Sequence, residues 1–213
     1  MQKNILFYGG SFNPIHNGHL ITARYIAEKL KINKVILIPS GNHPLKRNLL
    51  KFEHRYCMTC VAVENDKDLF EVSFCEQNTI GPSYTLDTVR HFRATLGNTI
   101  DKIHWLIGED ILPQLADWHG IEELSNEAII VTASRPGYSL TEINRKWLIE
   151  EDFKNPLKKN FNTTSILNNI MITPQIDISS TNIRERVKNG LSIKNLIPEK
   201  VEKYIREKNL YKV

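Results

Sequence analysis

Short apolar runs alternate along this chain with longer segments of helical spacing. Asn4 to Tyr8 is an apolar run ending at Gly9-Gly10, which predicts a buried strand stopped by a turn. From Asn17 to Lys31 the apolar positions Leu20, Ile21, Ala23, Ile26, Ala27 and Leu30 recur at helical spacing. Val35 to Ile38 predicts a second buried strand, closed by Pro39, and a Gly-, Pro-, Asn- and basic-rich loop follows from Ser40 to Leu50. Phe52 to Glu64 and Tyr84 to Leu96 predict helices. Phe70 to Phe74 alternates as a strand does. Ile103 to Ile107 and Ala128 to Thr132 predict strands stopped at Gly108 and at Ser134-Arg135-Pro136-Gly137. Residues 180–189 and 198–208 have helical spacing, whereas 152–169, rich in Asn and Lys, predicts a peripheral loop or insertion.

Strands alternating with helices argue for an α/β fold with a doubly wound, mostly parallel sheet. Ligands of such sheets bind beyond the carboxyl ends of the strands, where the strand order reverses. Gly9, Pro39, Gly108 and Ser134 each follow a predicted strand, so their segments are expected to converge on one crevice. The length of 213 residues suits one domain, 1–213, with a C-terminal helical segment at about 180–213.

Composition narrows the class. Hydrophobic content of 41% with 24% charged residues describes a globular chain, not a disordered one. No apolar stretch reaches the ~18 residues of a membrane span. The first apolar run meets Gly9-Gly10 too soon for a signal peptide, and three cysteines make no disulfide framework, so a reduced, cytoplasmic protein is expected. A net charge of +4 is too weak to imply nucleic acid but suits a site that handles phosphates. Lys200, Lys203, Arg206 and Lys208 leave slight room for a nucleic-acid surface.

The segment Gly9-Gly10-Ser11-Phe12-Asn13-Pro14-Ile15-His16-Asn17-Gly18-His19 joins the first strand to the first helix. Glycines there let backbone N–H groups approach a phosphate, and the helix start adds partial positive charge. It is neither a dinucleotide fingerprint, nor a Walker loop, nor a nucleophile elbow. His16 and His19, three apart, can aim at the same crevice and donate to charge developing on phosphorus; a pair that only caps or packs is the plainer alternative. Far downstream, Ser179-Ser180-Thr181 opens a helix with Arg184 one turn in, able to fork onto a phosphate, or else to lie on the surface behind a simple cap.

Gly10-x-Phe12-x-Pro14-x-His16-x-Gly18-His19 resembles the signature of the nucleotidyltransferase superfamily that carries a His-x-Gly-His motif. Ile178-Ser179-Ser180-Thr181-Asn182-Ile183-Arg184 resembles its second signature. Between them, Gly81-Pro82-Ser83-Tyr84-Thr85, Ile107-Gly108-Glu109-Asp110, Asp117-Trp118 and Arg135-Pro136-Gly137-Tyr138 look like the bacterial nicotinate-nucleotide adenylyltransferase family. Leu196-Ile197-Pro198 and Asn209-Leu210-Tyr211 are similar too, so the likeness runs from Leu6 to Tyr211.

The resemblance implies a Rossmann-like nucleotidyltransferase fold and transfer of AMP from ATP to nicotinate mononucleotide, giving nicotinate adenine dinucleotide and pyrophosphate. It places Gly9, Gly10, Ser11, Phe12, His16, Gly18 and His19 on the ATP side. Gly108 and Asp110 would reach a ribose, and Arg135 the adenine. Ser180, Thr181 and Arg184 would hold the departing phosphates, and Ser83, Tyr84, Thr85 and Trp118 the nicotinate. His16, His19, Lys46 and Arg184 are the expected catalytic group. Mg2+ would ride on the ATP phosphates, with no metal bound by the protein itself. A homo-oligomer is compatible with this reading.

Each assignment has a structural alternative. Asp110 could cap a helix, Trp118 could be a core aromatic, and Lys46 could be a solvated loop residue. The chain also departs from the family pattern: Ser11 and Asn13 replace Thr and Asp, and Leu45 stands where members often carry the histidine of Pro-Pro-His-Lys, with His43 two residues earlier. Cys57 and Cys60, near His54, suggest a zinc pair but lack partners at suitable spacing, and are expected in the core. The nearest rivals are another adenylyl- or cytidylyltransferase, such as one acting on phosphopantetheine, and a non-catalytic nucleotide sensor.

Overall fold

The computed structural model describes residues 3–44, 46, 48–134, 166 and 169–212. Its strands are β1 (Lys3–Gly10), β2 (Val35–Pro39), β3 (Phe70–Val72), β4 (Ile100–Gly108), β5 (Ile129–Ala133) and β6 (Ile170–Met171). The helices are α1 (Asn17–Lys29), α2 (Phe52–Ala62), α3 (Thr85–Leu96), α4 (Ile121–Glu127), α5 (Ser180–Lys188) and α6 (Glu199–Glu207). A 3-10 segment, Glu109–Asp117, follows β4. The strands form one sheet of order β3-β2-β1-β4-β5-β6 in which every pair is parallel. The chain winds outward from β1 to β3 and then crosses back beside β1 to β4. The strand order thus reverses between β1 and β4, the doubly wound arrangement expected from the sequence.

A central parallel strand is buried on both faces, which is why β1 reads as an unbroken apolar run. Its residues alternate between two cores. Leu6 and Tyr8 pack with Ala23 and Ile26 of α1, Met58 of α2, Ile183 of α5 and Val201 and Ile205 of α6. Ile5 and Phe7 pack on the other side with Trp105, Leu86 and Val89 of α3 and Leu124 of α4. The C-terminal helices therefore share a core with β1 and α1.

Several details differ from the sequence expectation. β1 runs through Gly9 and Gly10, which pair with Ile38 and Pro39. A Cβ on Gly9 would stand 2.6 Å from the Trp105 ring, and one on Gly10 would stand 3.0 Å from the Phe12 ring. Close packing explains these glycines; they are strand residues and not an open turn after the strand. β3 ends at Val72, and Phe74 turns out, 64% exposed. The buried positions of α2 are Arg55, Met58 and Thr59; Cys57 and Cys60 are half-buried beside them and not in the core. Among the described residues no helix is long and apolar enough to cross a membrane.

Candidate active site

α1 begins at the carboxyl end of β1, and its cap is made by the two histidines. His16 is the N-cap, in extended conformation. Its Nδ1 accepts the N–H of His19 at 3.3 Å, while Nδ1 of His19 accepts the N–H of His16 at 3.2 Å. This is a capping box built from imidazoles, where Ser/Thr and Glu/Gln are usual. The rings stack with centroids 3.5 Å apart. Gly18 makes room for this: a Cβ there would stand 3.0 Å from Nδ1 of His16. Because both Nδ1 atoms accept, a neutral ring carries its proton on Nε2, a tautomer assigned here from the hydrogen-bond pattern. The capping alternative is therefore what the geometry shows: each Nδ1 accepts a backbone N–H of the other histidine.

His16, Gly18 and His19 line a crevice with Tyr8, Gly108 and Ser134. It lies at the carboxyl ends of β1, β4 and β5, at the switch point. Phe12 does not face this space. It is 1% exposed, with a positive φ of 41°, and its ring packs edge-on against Tyr8 and His19. Its side chain therefore packs in the core against the His19 ring.

The second motif docks on the first. Ser179 caps α5 by accepting the N–H of Asn182. Ser180 Oγ donates to the Pro14 carbonyl at 2.8 Å, and Arg184 Nη1 donates to the Asn13 carbonyl at 2.8 Å. Arg184 Nη2 donates to Thr181 Oγ1 at 3.1 Å. Arg184 is thus no detached surface residue. Asn13 Oδ1 also accepts the hydroxyl of Tyr211 at 2.8 Å, and burial pushes that phenol's pKa up, keeping it a donor.

The loop after β2 reaches the same place. Lys46 Nζ lies 3.3 Å from Ser11 Oγ, and the Lys46 N–H donates to Nδ1 of His43 at 3.2 Å. His43 is pushed down to about 4, first by burial and then by the Lys46 and Arg55 charges, so its ring is neutral at pH 7. Leu45 lies outside the described residues.

Ser83, Tyr84 and Thr85 lie at the start of α3 beside the loop after β2, where the Asn42 N–H donates to Ser83 Oγ at 3.1 Å. Tyr84 is the N-cap of α3 and Thr85 its first residue, with no side chain capping that end. A helix N-terminus left open in this way offers N–H donors and partial positive charge to an anion. Tyr84 stacks on His119 with centroids 4.3 Å apart. Trp118 is half-buried against the core beneath α3, at the end of the 3-10 segment. Gly108 precedes that segment and Asp110 is its second residue, in the first turn and not at the cap. Arg135 lies outside the described residues, as do Pro136 to Tyr138 and 152–165.

Sequence reasoning missed His119, Arg55 and Glu76. The last two are charged residues only 2% and 8% exposed, both beside the crevice loops. The readable signal for Arg55 was a charge at the Met58-Thr59 face of an apolar helix. Among the basic residues near the C-terminus, Lys200 pairs with Glu64 and Lys203 with Glu207.

Parallel strands in the order 3-2-1-4-5-6, with a histidine pair at a helix start lining the crevice at the switch point, define a Rossmann-like α/β protein with a candidate nucleotide site. The cytidylyltransferase-like family matches residues 7–186. A Clostridium tetani protein named probable nicotinate-nucleotide adenylyltransferase is 40% identical, with 100% of both chains covered. A Thermoanaerobacter protein of the same name is 38% identical over 96% of this chain and 92% of its own. The chain belongs to the cytidylyltransferase-like family and, within it, to the nicotinate-nucleotide adenylyltransferases. The solved structure of Plasmodium falciparum nicotinic acid mononucleotide adenylyltransferase complexed with NaAD shares the fold, with a TM-score of 0.76 at 21% identity over 99% of this chain and 98% of that one.

Proposed function

We propose that this enzyme transfers AMP from ATP to nicotinate mononucleotide, and that the step is a direct in-line displacement. A phosphate oxygen of the mononucleotide attacks the α-phosphorus of ATP. The bond from that phosphorus to the bridging oxygen breaks, the electron pair leaves with pyrophosphate, and nicotinate adenine dinucleotide is formed. No protein nucleophile is needed, because phosphoryl-type transfer depends on positioning and charge stabilisation.

The observation that carries this reading is the reciprocal His16/His19 cap. It holds both rings at the switch-point crevice with Nδ1 engaged, so Nε2–H is the atom each ring would offer to charge developing on the α-phosphate oxygens. Lys46, reaching Ser11, would meet the triphosphate from the β2 side, and Arg184, held on the Asn13 carbonyl, from the α5 side. Gly108 and Asp110 follow β4, a position suited to a ribose, and Ser180 and Thr181 open α5 beside the leaving phosphates.

The open N-terminus of α3 suits a carboxylate, with Tyr84 and Trp118 as apolar faces for the pyridine ring. Mg2+ would enter on the ATP phosphates, since it prefers oxygen ligands and retains several waters. Among the described residues no group of three or more His, Cys, Asp or Glu forms a protein cage for it. Pyrophosphate release from ATP with a panel of mononucleotides tests the reading. Turnover with nicotinate mononucleotide supports it, and turnover only with another acceptor contradicts it.

A further inference from the structure

The two substrate sides of the crevice are joined by buried charge. Arg55, at 2% exposure, spends its whole guanidinium on backbone carbonyls. Nε donates to Leu50 at 2.9 Å, Nη1 to Ser11 at 2.9 Å and Nη2 to Gly41 at 3.4 Å. Glu76, at 8% exposure, takes the opposite end of the same residue: its Oε2 accepts the Gly41 N–H at 3.1 Å. Its Oε1 accepts the Thr88 hydroxyl at 2.7 Å, and the Ser83 side chain also bonds to it. The next residue continues the link, since Asn42 N–H donates to Ser83 Oγ at 3.1 Å and Ser83 N–H donates to the Asn42 carbonyl at 2.8 Å. Gly41 has no room for a side chain: a Cβ there would stand 2.0 Å from the Glu76 carbonyl oxygen.

Burying two charged groups is costly, and a fold of this kind needs neither for its core. Burial raises the Glu76 carboxyl above its ordinary pKa, while its hydrogen bonds and the Arg55 charge work in the opposite direction. Ser11 belongs to the loop proposed to face ATP, and Ser83 with the first turn of α3 belongs to the segment proposed to face nicotinate. Arg55 and Glu76 grip Gly41 from its two sides and reach one loop each.

We propose that Arg55 and Glu76 are a positioning pair that sets the ATP-side loop and the nicotinate-side segment against each other through Gly41. Neither is a catalytic residue; each acts through the backbone it holds. The pair fixes the distance between the two bound substrates, so its loss weakens both subsites at once. This inference rests on the proposed assignment of the two sides to ATP and nicotinate mononucleotide.

The test compares wild type with Glu76→Gln and with Thr88→Val, a near-isosteric change that removes one hydroxyl from Glu76 and keeps a folded reference should the first variant not fold. Amide hydrogen exchange and pyrophosphate-release kinetics are both measured. In Glu76→Gln, exchange at residues 40–44 and 81–85 is expected to rise about tenfold, with α1 unchanged. KM for both substrates is expected to rise about tenfold, with a smaller fall in kcat. Thr88→Val is expected to shift both readouts in the same direction by about threefold. Unchanged exchange in both segments overturns the proposal. So does a fall in kcat with both KM values intact, the mark of lost folded enzyme, and so does a rise in KM confined to one substrate. Wild-type failure to turn over nicotinate mononucleotide refutes the substrate assignment instead, and the exchange measurement still decides whether the pair holds both segments.

Discussion

Nδ1 of His16 accepts the backbone N–H of His19, and Nδ1 of His19 accepts the backbone N–H of His16. The two rings therefore cap α1 through Nδ1, and both residues line the crevice. Structure and chemistry can be separated at His19, because glutamine is a usual reach-back residue at this helix position. His19→Gln is expected to retain thermal stability while kcat falls by roughly 10²–10³, with little change in nucleotide affinity. His19→Ala is expected to lose the same activity and, in addition, about 1 kcal/mol of stability from the broken cap. Near-normal turnover in the glutamine variant would remove His19 from the catalytic group. Nitrogen-15 shifts of the neutral rings check the geometry independently: protons on Nε2 are expected at both histidines.

Arg184 is held at two points, the Asn13 carbonyl and Thr181 Oγ1. A lysine has a single ammonium and cannot reproduce the planar fork. Arg184→Lys is expected to lower kcat/KM for ATP by about tenfold or more. Steady-state kinetics with varied ATP read this directly, and unchanged ATP kinetics would confine Arg184 to docking α5.

The pH dependence of stability offers a test at His43. Its folded pKa lies near 4, below the unfolded value of 6.5, so the fold holds the neutral ring. The stability this gives is present in full above pH 6.5 and is lost as pH falls from there toward 4. Asparagine can accept the Lys46 N–H through Oδ1 without titrating there. His43→Asn is expected to match wild type at pH 7–8 and to lose Tm less steeply between pH 6.5 and 4. His43→Ala, which frees the Lys46 backbone, is expected to raise KM for ATP several-fold. Parallel Tm curves for wild type and the asparagine variant would show that the ring's burial carries no such linkage.

Strong periodicity was the most legible feature of the fold. β1, β2, β4, β5, α1 and α3 lie where the apolar runs and helical stripes put them, since each is buried on a continuous face. Glu109–Asp117 is a 3-10 segment with Pro113 inside it, and its buried apolar positions Leu112, Leu115 and Ala116 are too few, with a proline between them, to stand out as a helix. α4 has seven residues and buries two of them, too few for a pattern, and β6 has only two residues. The spacing brings His16, Gly18, His19 and Gly108 to one crevice, and all four line it. Spacing could not show that Phe12 points into the core, because an aromatic after two glycines reads the same whether its ring faces in or out. Nor could it show Glu76, whose partners Gly41 and Thr88 lie 35 and 12 residues away on the loop after β2 and on α3.

The central claim concerns the acceptor. Nicotinate mononucleotide and nicotinamide mononucleotide differ only in a carboxylate against a carboxamide, and in the proposed reading their discrimination falls to the start of α3 at Tyr84 and Thr85, which no side chain caps. A carboxylate accepts from backbone N–H groups through both oxygens, in charge-assisted bonds about twice as strong as neutral ones, and the helix dipole adds to them. An amide would turn its NH2 toward one of those donors, leaving both unsatisfied at about 1–3 kcal/mol each. Initial rates with each mononucleotide at subsaturating concentration, with ATP in excess, measure the ratio of kcat/KM directly. A preference for the acid of roughly 10²–10⁴ is the expected result. Equal rates, or a preference for the amide, would contradict the account.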